Sequence, residues 1–460
     1  MSKQALNRKY QAYPEYKDSG VEWLGTIPAS WTVAALRHGM SDIKNGSTAT
    51  QVDQGDETVP ISRIETISTG KINTEKVGYV VLNNSICNYK LNIGDILFSH
   101  INSIPMVGNV AQYWSDTPLY HGMNLLRIQP SAGVDSRYLF WWLKSDFCRK
   151  SVSSLAKPAI NQASIAIEQI KGLPCINPDL SEQKNIAAFL DYETARIDSL
   201  IDKQQRLIEL LKEKRQAVIS HAVTKGLNPD APMKDSGVEW LGQVPEHWGV
   251  MSFATIVNSA ELGGNYLGAV EDEGLPFLKM GNLGRGCVNL EKLERLPEGG
   301  EIDNKHILQS GDFLFNTRNS LDLVGKVAIW NDELAICGYN SNILRVRFHA
   351  KFVSCPAYVV LVFNTNGAIQ WLRLLAKGTT SVAAIYYKDL RGMMVPVPPP
   401  EEQKKIFSYV ENKTFKIDSL IHKLLKSIDL VRERRTALIS AAVTGKIDLR
   451  GWTAPKEGDK

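Results

Sequence analysis

The sequence predicts an α+β fold: two mixed α/β globular domains in a pseudo-two-fold repeat, separated by two long antiparallel coiled-coil helices. Three observations carry this prediction. The nine residues KDSGVEWLG occur twice, at residues 17–25 and 234–242. Two long stretches repeat apolar side chains at heptad spacing, and short apolar runs broken by Gly, Asn and Pro fill the segments between them.

The repeat extends well beyond these nine residues. An offset of 217 residues also aligns NIGDILFSHINS at residues 92–103 with QSGDFLFNTRNS at residues 309–320. Three additional residues in the second copy then change the offset to 220, which aligns SEQKNI from Ser181 with EEQKKI from Glu401. The chain is therefore two copies of one unit, each a globular part followed by a long helix.

The two helices are predicted from apolar side chains that recur every seven residues. Each helix spans about 40 residues, or roughly 60 Å, and Gly226 and Gly445 are expected to end them. One helix cannot bury so long a stripe alone, so we expect the two to pair in antiparallel orientation. The stripe comprises Leu190, Ile197, Leu211 and Val218, with Gln204 as a polar exception, and Val410, Ile417, Leu424, Val431 and Leu438.

The globular segments are predicted to contain sheets and a few helices. The runs YVVL at residues 79–82, DILF at 95–98 and FLF at 313–315 are typical of strands, and residues 136–148 and 355–376 are typical of helices. Asp95 and Asp312 follow a Gly in both copies, and a turn ahead of a strand explains them better than nuclease chemistry. The predicted limits are an N-terminal arm at 1–30, a first globular domain at 31–178, a central helix at 179–226, a repeated arm at 227–247, a second globular domain at 248–398, a C-terminal helix at 399–446 and a tail at 447–460.

Composition narrows the class of protein only moderately. The net charge of +4 permits nucleic-acid binding without requiring it. The six cysteines lie far apart, without a CxxC pair or a Cys/His cluster at metal-ligand spacing, and are expected to be reduced thiols. No signal-peptide core or membrane-length apolar run occurs, so we expect a cytoplasmic protein without membrane contact.

Sequence motifs for catalysis are missing. The chain has no GxxxxGK[ST] loop, no GxGxxG opening a helix, no HExxH and no NPPY-like methylation motif. The stretch GGNYLG from Gly263 is the nearest to a glycine-rich loop, but no strand and helix pattern accompanies it. These absences favour a protein that is not an enzyme.

The duplicated frame resembles the specificity (S) subunit of type I restriction-modification systems. The resemblance rests on KDSGVEWLG followed by Pro and Trp, on PDLSEQKNI at Pro178 and PPPEEQKKI at Pro398, and on AVISHAVTKGL at Ala217, and it covers almost the whole chain. It implies two target-recognition domains on a helical scaffold, double-stranded DNA as ligand, and two methyltransferase (M) and two restriction (R) subunits as partners. It also implies that S-adenosylmethionine, ATP and Mg²⁺ belong to those partners, and that this chain binds no cofactor.

Two unlike globular domains on one repeated frame suit a DNA target made of two unlike half-sites, because a single chain need not read a palindrome. A different class of function also stays open. Two globular heads on a coiled coil could form a protein-protein scaffold without a role on DNA. A mobility-shift experiment with and without a methyltransferase distinguishes the two.

Candidate DNA contacts follow from side-chain chemistry, since the resemblance transfers no base-reading residues. Arg63 and Lys279 follow similar strands, which fits a pair of phosphate contacts. A pair of solvated surface side chains without a role in binding fits equally well. His100 and Arg318 follow the paired strands, where Arg is able to read guanine; a hydrogen-bonded turn is the alternative, and it suits Asn102 and Asn319 better. Further candidates lie in two matching polar loops and before a shared strand: Lys157, Asn161, Gln162, Lys377, Thr379 and Thr380, and Tyr120, His121, Tyr339 and Asn340.

The tryptophans of the repeated frame are expected to be packing anchors rather than stacking platforms for bases. They lie where the arms should meet the helices, and they are Trp23, Trp31, Trp240 and Trp248.

Overall fold

The computed structural model describes residues 10–160, 162–271, 273–378 and 382–455. The chain forms two compact units: Met1–Gln204 with Leu425–Lys460 is unit 1, and Gln205–Leu424 is unit 2. Each unit holds one globular domain, named head 1 (residues 31–178) or head 2 (residues 248–398), and one half of each long helix. The helix halves belong to different units because each half packs into the apolar core of its own head.

Unit 1 contains the first copy of the repeat and the start of the first long helix. Its strands are β1 (Tyr16–Asp18), β2 (Thr26–Pro28), β3 (Thr32–Ala35), β4 (Met40–Asn45), β5 (Thr58–Ser62), β6 (Val77–Val81), β7 (Ile96–Ser99), β8 (Ile101–Asn102), β9 (Val110–Gln112), β10 (Leu125–Pro130), β11 (Lys157–Ala159), β12 (Gln162–Ser164) and β13 (Pro174–Asn177). Its helices are α1 (Asn84–Cys87), α2 (Ser136–Lys144), α3 (Asp146–Leu155), α4 (Ile167–Lys171) and the first half of α5 (Leu180–Lys225), with 3₁₀ turns at Leu36–Gly39 and Ile64–Ile67.

Unit 2 contains the second copy of the repeat. Its strands are β14 (Met233–Asp235), β15 (Gln243–Pro245), β16 (Gly249–Ser252), β17 (Val257–Leu262), β18 (Pro276–Leu278), β19 (Glu294–Arg295), β20 (Phe313–Asn316), β21 (Arg318–Asn319), β22 (Val327–Ile329), β23 (Gly338–Tyr339), β24 (Ile343–Phe348), β25 (Lys377–Gly378), β26 (Ala383–Ala384) and β27 (Met394–Val397). Its helices are α6 (Phe253–Ile256), α7 (Pro356–Phe363), α8 (Asn366–Leu375), α9 (Tyr387–Leu390) and the first half of α10 (Pro400–Val443), with 3₁₀ turns at Met280–Asn282 and Asn304–His306.

The two heads share the topology of their largest sheet. Head 1 has a four-stranded antiparallel sheet of order β4-β10-β7-β9, and head 2 has the equivalent sheet of order β17-β24-β20-β22. The predicted strands DILF and FLF lie in β7 and β20, inside these sheets, and every side chain of both strands is buried. Burial on both faces explains why their apolar residues form continuous runs instead of alternating with polar ones.

Each predicted helix of the heads is in fact two helices. The first breaks at Ser145, whose Oγ accepts a hydrogen bond from Cys148 N at 3.3 Å and caps α3. The second breaks at Asn364 and Thr365, where Thr365 Oγ1 accepts from Ala368 N at 3.3 Å and caps α8. Ser and Thr favour helix starts because their side-chain oxygens satisfy free N–H groups. The apolar residues of the sequence continue through both breaks, so the sequence pattern predicted one helix where the structure has two.

The Gly-Asp pairs form turns ahead of the buried strands, as predicted. Asp95 Oδ2 accepts a hydrogen bond from Asn92 N at 2.9 Å, and Asp312 Oδ2 accepts one from Gln309 N at 2.9 Å. The preceding residues Gly94 and Gly311 have φ of 96° and 85°, a backbone region that favours glycine.

Within each unit the two long helices run antiparallel. In unit 1, Arg435 Nε donates to Asp198 Oδ1 at 2.8 Å, and in unit 2, Arg215 Nε donates to Asp418 Oδ1 at 2.9 Å. The two ion pairs are equivalents in the repeat, because 198 and 418, like 215 and 435, differ by 220. Gln204, the polar exception in the stripe, donates from Nε2 to Ser427 Oγ at 3.0 Å.

The repeated Glu-Gln motif fastens each head to the start of a long helix. Gln183 Oε1 accepts from Asp135 N at 2.8 Å, and its Nε2 donates to Pro178 O at 2.9 Å. Gln403 accepts from Ser354 N at 3.1 Å and donates to Phe352 O at 2.7 Å. Both glutamines are buried, and their side chains are hydrogen-bond partners of backbone groups at the same junction. This explains why both copies of the repeat keep the motif.

Tryptophans anchor the arms against the ends of the long helices. Trp31 and Trp248 are buried, which confirms the predicted packing role of this pair. Gly445 and Gly226 end the helices with φ of 66° and 73°, and a Cβ on either glycine would meet the Trp31 or Trp248 ring. Trp23 differs from the prediction, because 39% of its surface is exposed.

Candidate nucleic-acid interface

In each head a small three-stranded sheet brings together two groups of candidates that lie far apart in the sequence. In head 1, the hairpin β11-β12 pairs with β8, and Ile165 N donates to His100 O at 3.0 Å. In head 2, the hairpin β25-β26 pairs with β21, and Ile385 N donates to Thr317 O at 2.9 Å. The strands beside the polar loops and the residues after the buried strands therefore form one surface, named the hairpin site, at the same place in both heads.

The hairpin site of head 1 carries Lys157 and Gln162, both exposed. The Lys157 ammonium makes no hydrogen bond or ion pair to any residue that the structure describes. His100 lies beside the hairpin and is partly buried, which lowers the pKa of its imidazole. Its Nδ1 is enclosed and has no hydrogen-bond partner within the described chain. Lys157 and Gln162 therefore leave polar donors available at the surface of head 1, whereas the enclosed ring nitrogen of His100 does not reach the surface.

The hairpin site of head 2 presents Arg318. Its side chain is exposed and has no hydrogen-bond or ion-pair partner among the described residues. It lines a cleft of about 300 Å³ together with Asn265, Asn342 and Tyr386. A free guanidinium at the edge of this cleft can donate to a guanine edge or to a phosphate. Lys377, at the start of β25, is instead paired with Asp389 at 3.0 Å.

Arg63 and Lys279 occupy equivalent positions, each directly before a 3₁₀ turn. Their environments differ. The Lys279 ammonium contacts Glu294 Oε1 at 2.7 Å, whereas Arg63 is exposed and has only a 3.6 Å contact with Glu65. A phosphate contact therefore suits Arg63 better than Lys279, whose charge is already compensated.

Four candidates lie in the interior of the heads, so the prediction that they contact DNA is wrong. Tyr120 and Tyr339 are side chains of apolar clusters, and His121 and Asn340 are 0% and 6% exposed. Asn340 Oδ1 accepts from Asn342 N at 3.1 Å, so its side chain serves a turn.

His121 shows why these positions are internal. Its ring nitrogen Nε2 lies 2.9 Å from Leu125 O, and burial lowers the pKa of the imidazole to about 4. Parallel bridges from Ile61 to Tyr120 and from Leu278 to Tyr339 place both segments inside their heads. Pairing between residues so far apart in the chain cannot be predicted from the local sequence.

The remaining candidates divide into two groups. Asn161, Thr379 and Thr380 lie outside the described residues. Asn102 and Asn319 serve turns, since their Oδ1 atoms accept from Ser103 N at 2.8 Å and from Ser320 N at 2.9 Å. The turn interpretation of these two asparagines is confirmed.

The structure also reveals two arginines that the sequence reasoning missed. Arg149 Nη2 donates to Pro105 O at 3.0 Å, and Arg285 Nη2 donates to Asp322 O at 3.3 Å. Pro105 and Asp322 are equivalents in the repeat at the offset of 217, but Arg149 lies in α3 and Arg285 in the loop after Met280–Asn282. Each head thus places an arginine at the loop that follows the hairpin-site strand, from a different part of its chain.

The residues that the structure describes show neither a cluster of metal ligands nor a membrane-spanning helix. No three His, Cys, Asp or Glu side chains come together there as metal ligands would. None of the described helices is long and apolar enough to cross a membrane.

The chain is similar to known proteins along most of its length. The family described as "Type I restriction modification DNA specificity domain" matches residues 30–210. The putative type I restriction enzyme MjaX specificity subunit of Methanocaldococcus jannaschii is 32% identical over 444 residues, covering 93% of this chain and 96% of that one. The EcoKI specificity subunit of Escherichia coli is 24% identical, covering 94% and 92%.

Solved structures show the same fold. A chain from a structure of type I restriction-modification complex assembly superposes with a TM-score of 0.68 at 16% identity, covering 92% of this chain and 99% of that one. The HsdS subunit of Thermoanaerobacter tengcongensis superposes with a TM-score of 0.51 at 15% identity, covering 92% and 98%. The predicted fold class is confirmed. Together with the 32% identity to the Methanocaldococcus jannaschii relative over nearly the whole of both chains, these findings show that the chain belongs to the specificity subunits of type I restriction enzymes.

Proposed function

We propose that this chain reads DNA for a type I restriction-modification complex and is itself not a catalyst. Its target is bipartite and asymmetric, with one half-site read by each head. The observation that carries this proposal is the hairpin site, which has one backbone plan in both heads but unlike side chains. Where head 2 presents the free Arg318, the equivalent residue of head 1 at the offset of 217 is Ile101. A shared frame with different polar groups is what recognition of two unlike sequences requires.

Contacts to the DNA backbone would position the heads without specifying sequence. The exposed cations Lys157, Arg63 and Arg149 suit this role in head 1. In head 2, Arg285 lies near Arg373, and burial together with this second cation lowers the pKa of the Arg285 guanidinium. Asp322 Oδ1 accepts from Arg373 Nη2 at 3.0 Å. A phosphate near these two arginines would relieve the repulsion between them.

The partners follow from the family. Two methyltransferase (M) subunits and two restriction (R) subunits would assemble on this chain in the cytoplasm, away from membranes. Under this proposal the chain binds no cofactor of its own, and S-adenosylmethionine, ATP and Mg²⁺ are bound by the M and R subunits. The purified chain should show no methyl transfer, DNA cleavage or ATP hydrolysis, even with stoichiometric S-adenosylmethionine or ATP.

The proposal is tested by expressing the chain with its M subunit and sequencing the methylated bases of the host genome. Wild type should methylate one bipartite, asymmetric sequence. Replacing Arg318 with Ala should relax or change only one half-site, because a good bidentate base contact contributes about 1 to 3 kcal/mol of discrimination. The matched control is Lys351→Ala, which removes one exposed positive charge from the same head beyond the opposite end of β24.

Two results would contradict the proposal. A wild-type complex with no sequence-specific DNA binding or methylation would favour the protein scaffold without a DNA role. A change in both half-sites after substitution at Arg318 would show that the heads are not independent readers.

A further inference from the structure

In unit 1, two neighbouring clefts lie between head 1 and the long helices, outside the hairpin site. The smaller, of about 210 Å³, lies beside the loop at Lys71, and the larger, of about 560 Å³, lies beside the loop at Pro105. Lys144 and Arg435 line both, and the two clefts together are named the basic cleft. Its charged side chains are Lys71, Arg137, Lys144, Arg149, Lys150 and Arg435, with Asp146, Asp191 and Asp198.

Each acidic side chain of the basic cleft already has a basic partner. The pairs are Asp191 with Arg137 at 2.7 Å, Asp198 with Arg435 at 2.8 Å and Asp146 with Lys150 at 2.7 Å. Lys71 has only a 3.9 Å contact with Asp198, whose carboxylate Arg435 occupies. The positive charges of Lys71, Lys144 and Arg149 are therefore in excess over the carboxylates that surround them.

Lys144 lies at the centre of this excess charge. It ends α2, and its ammonium donates to Gly70 O at 3.1 Å. The side chain is partly buried and makes no ion pair with any residue that the structure describes. Burial, followed by the positive charges of Arg435 and Arg137, lowers the pKa of its amine to about 8. A bound anion would offset these effects, because a nearby negative charge favours the protonated amine.

The position of Lys144 in the fold does not require a positive charge. Its equivalent in unit 2 at the offset of 220 is Asn364. A Cβ on Gly70 would lie 3.2 Å from Lys144 Nζ, and a Cβ on Gly286 would lie 3.6 Å from Asn364 Nδ2. Both glycines have positive φ. The same place beside a glycine turn is thus filled by a neutral amide in unit 2.

The other excess charges also belong to unit 1. The residue after the glycine is Lys71 in unit 1 and Cys287 in unit 2. The equivalents at the offset of 220 are Ala357 for Arg137, Ile369 for Arg149 and Gln370 for Lys150. The arginine and aspartate that join the long helices are common to both units. Only this pair serves the shared frame, so the remaining basic residues need another explanation.

The chemistry of the basic cleft suits a phosphate group. Ammonium and guanidinium groups bind phosphate oxygens through charge-assisted hydrogen bonds. The aromatic residues that line the cleft, Phe140 and Trp141, are 3% and 2% exposed, so neither offers a face on which a base would stack. The cleft would therefore hold the phosphate of a ligand and not a nucleobase.

We propose that the basic cleft is a phosphate-binding site of unit 1, with Lys144 and Lys71 as its donors. The phosphate group belongs to the backbone of DNA or to a small phosphate compound, and the experiment below distinguishes these sources. The loop at Pro105 follows β8 of the hairpin site, so the basic cleft lies next to the surface proposed to read bases. The inference goes beyond that proposal, because this site reads no base and unit 2 has neutral residues at the positions that give it its charge.

The test measures acetylation of lysines in the full-length chain by mass spectrometry. N-hydroxysuccinimidyl acetate transfers its acetyl group to a neutral amine and releases N-hydroxysuccinimide, so the rate reports the neutral fraction and the accessibility of each lysine. The rate at Lys144 is compared in chloride, in inorganic phosphate and with duplex DNA, all at equal ionic strength and about pH 7.5. The exposed Lys351 of head 2 is the internal reference.

Bound phosphate should slow acetylation of Lys144 relative to Lys351. If it raises the pKa of Lys144 from about 8 to about 9, the neutral fraction at about pH 7.5 falls about eightfold. Slowing by inorganic phosphate would support a small phosphate compound as the ligand. Slowing by duplex DNA alone would support a phosphate of the DNA backbone.

Variants of the full-length chain give a second, independent measurement. Lys144→Asn introduces the residue of unit 2, Lys71→Ala removes an exposed charge without altering the core, and Lys351→Ala is the matched control. Calorimetric titration with the ligand that slows acetylation should show binding about tenfold weaker for the first two variants than for the control. For DNA, each of these two variants should also lower the salt dependence of binding by about one counterion.

Two results would overturn the inference. One is acetylation of Lys144 that neither inorganic phosphate nor duplex DNA slows. The other is equal affinity of Lys71→Ala, Lys144→Asn and the control for the ligand. Both results would leave the reading of bases at the hairpin sites intact, because methylome sequencing of the Arg318 variant tests that proposal separately.

Discussion

His121 makes the stability of head 1 sensitive to acid. The imidazole is fully buried, and burial lowers its pKa from 6.5 to about 4, with smaller contributions from the positive charge of Arg127 and from His100. The unfolded chain therefore takes up this proton at a higher pH than the folded chain does. Stability due to neutral His121 is complete above pH 6.5, and it is lost as the pH falls through the interval from 6.5 to about 4.

The size of this loss follows from the two pKa values. Linkage gives a decrease of about 2 kcal/mol in the free energy of unfolding between about pH 7.5 and about pH 5, and of about 3 kcal/mol below pH 4. Asn is a suitable substitution at this position, because its amide keeps a polar, hydrogen-bonding side chain and does not titrate. His121→Asn should remove the pH dependence whatever its effect on stability at neutral pH.

Hydrogen exchange with mass spectrometry measures this effect in the intact chain. After correction for the intrinsic exchange rate, peptides that span β10 in wild type should lose about 30-fold more protection than in His121→Asn on the change from about pH 7.5 to about pH 5. Peptides that span β24 are the internal control and should respond alike in both proteins. Equal loss of protection at β10 in wild type and variant would refute the reasoning.

Three further changes test the frame. Gln403→Ala should lower the free energy of unfolding by about 2 to 3 kcal/mol, because buried backbone groups lose their hydrogen-bond partner. Urea titration measures this change, and substitution of the exposed Gln370 with Ala is the control. Gly226→Ala should lower the free energy of unfolding by about 1 to 2 kcal/mol, since the residue has φ of 73° and a Cβ there would lie 3.2 Å from Trp248 Cζ2. Gly133 has open space around it, so Gly133→Ala should leave the free energy of unfolding unchanged in the same titration. Four residues inserted between Gln204 and Leu207 lengthen α5 by about 6 Å and turn it by about 400°. Methylome sequencing should therefore show unchanged half-sites with one or two more base pairs between them. An unchanged spacer in an active complex would count against a helix that sets this distance.

The repeat and the long helices could be predicted because their signals are local or exact. Identical segments such as the two copies of KDSGVEWLG reveal duplication without any knowledge of structure. Heptad spacing predicts a helix that pairs, because only one face of it is apolar. Gly226 and Gly445 end the helices because few other residues adopt their backbone conformation.

The candidate site could be predicted only in part. The residues after the buried strands and the polar loops do meet, but their meeting depends on the pairing of β8 with β12 and of β21 with β26. Tyr120 and Tyr339 were candidates because they precede a strand that both heads share, yet parallel bridges to distant strands place them inside. Local sequence contains no record of such pairing.

The sequence by itself determined the duplication, the two helices and the family, since these depend on identity and on periods within single segments. The tertiary structure alone decided which polar side chains are free at the surface. Arg318 is exposed and unpaired, while Lys279 and Lys377 are neutralised by Glu294 and Asp389. Burial and ion pairing join residues far apart in the chain, so they are properties of the packed fold rather than of any one segment.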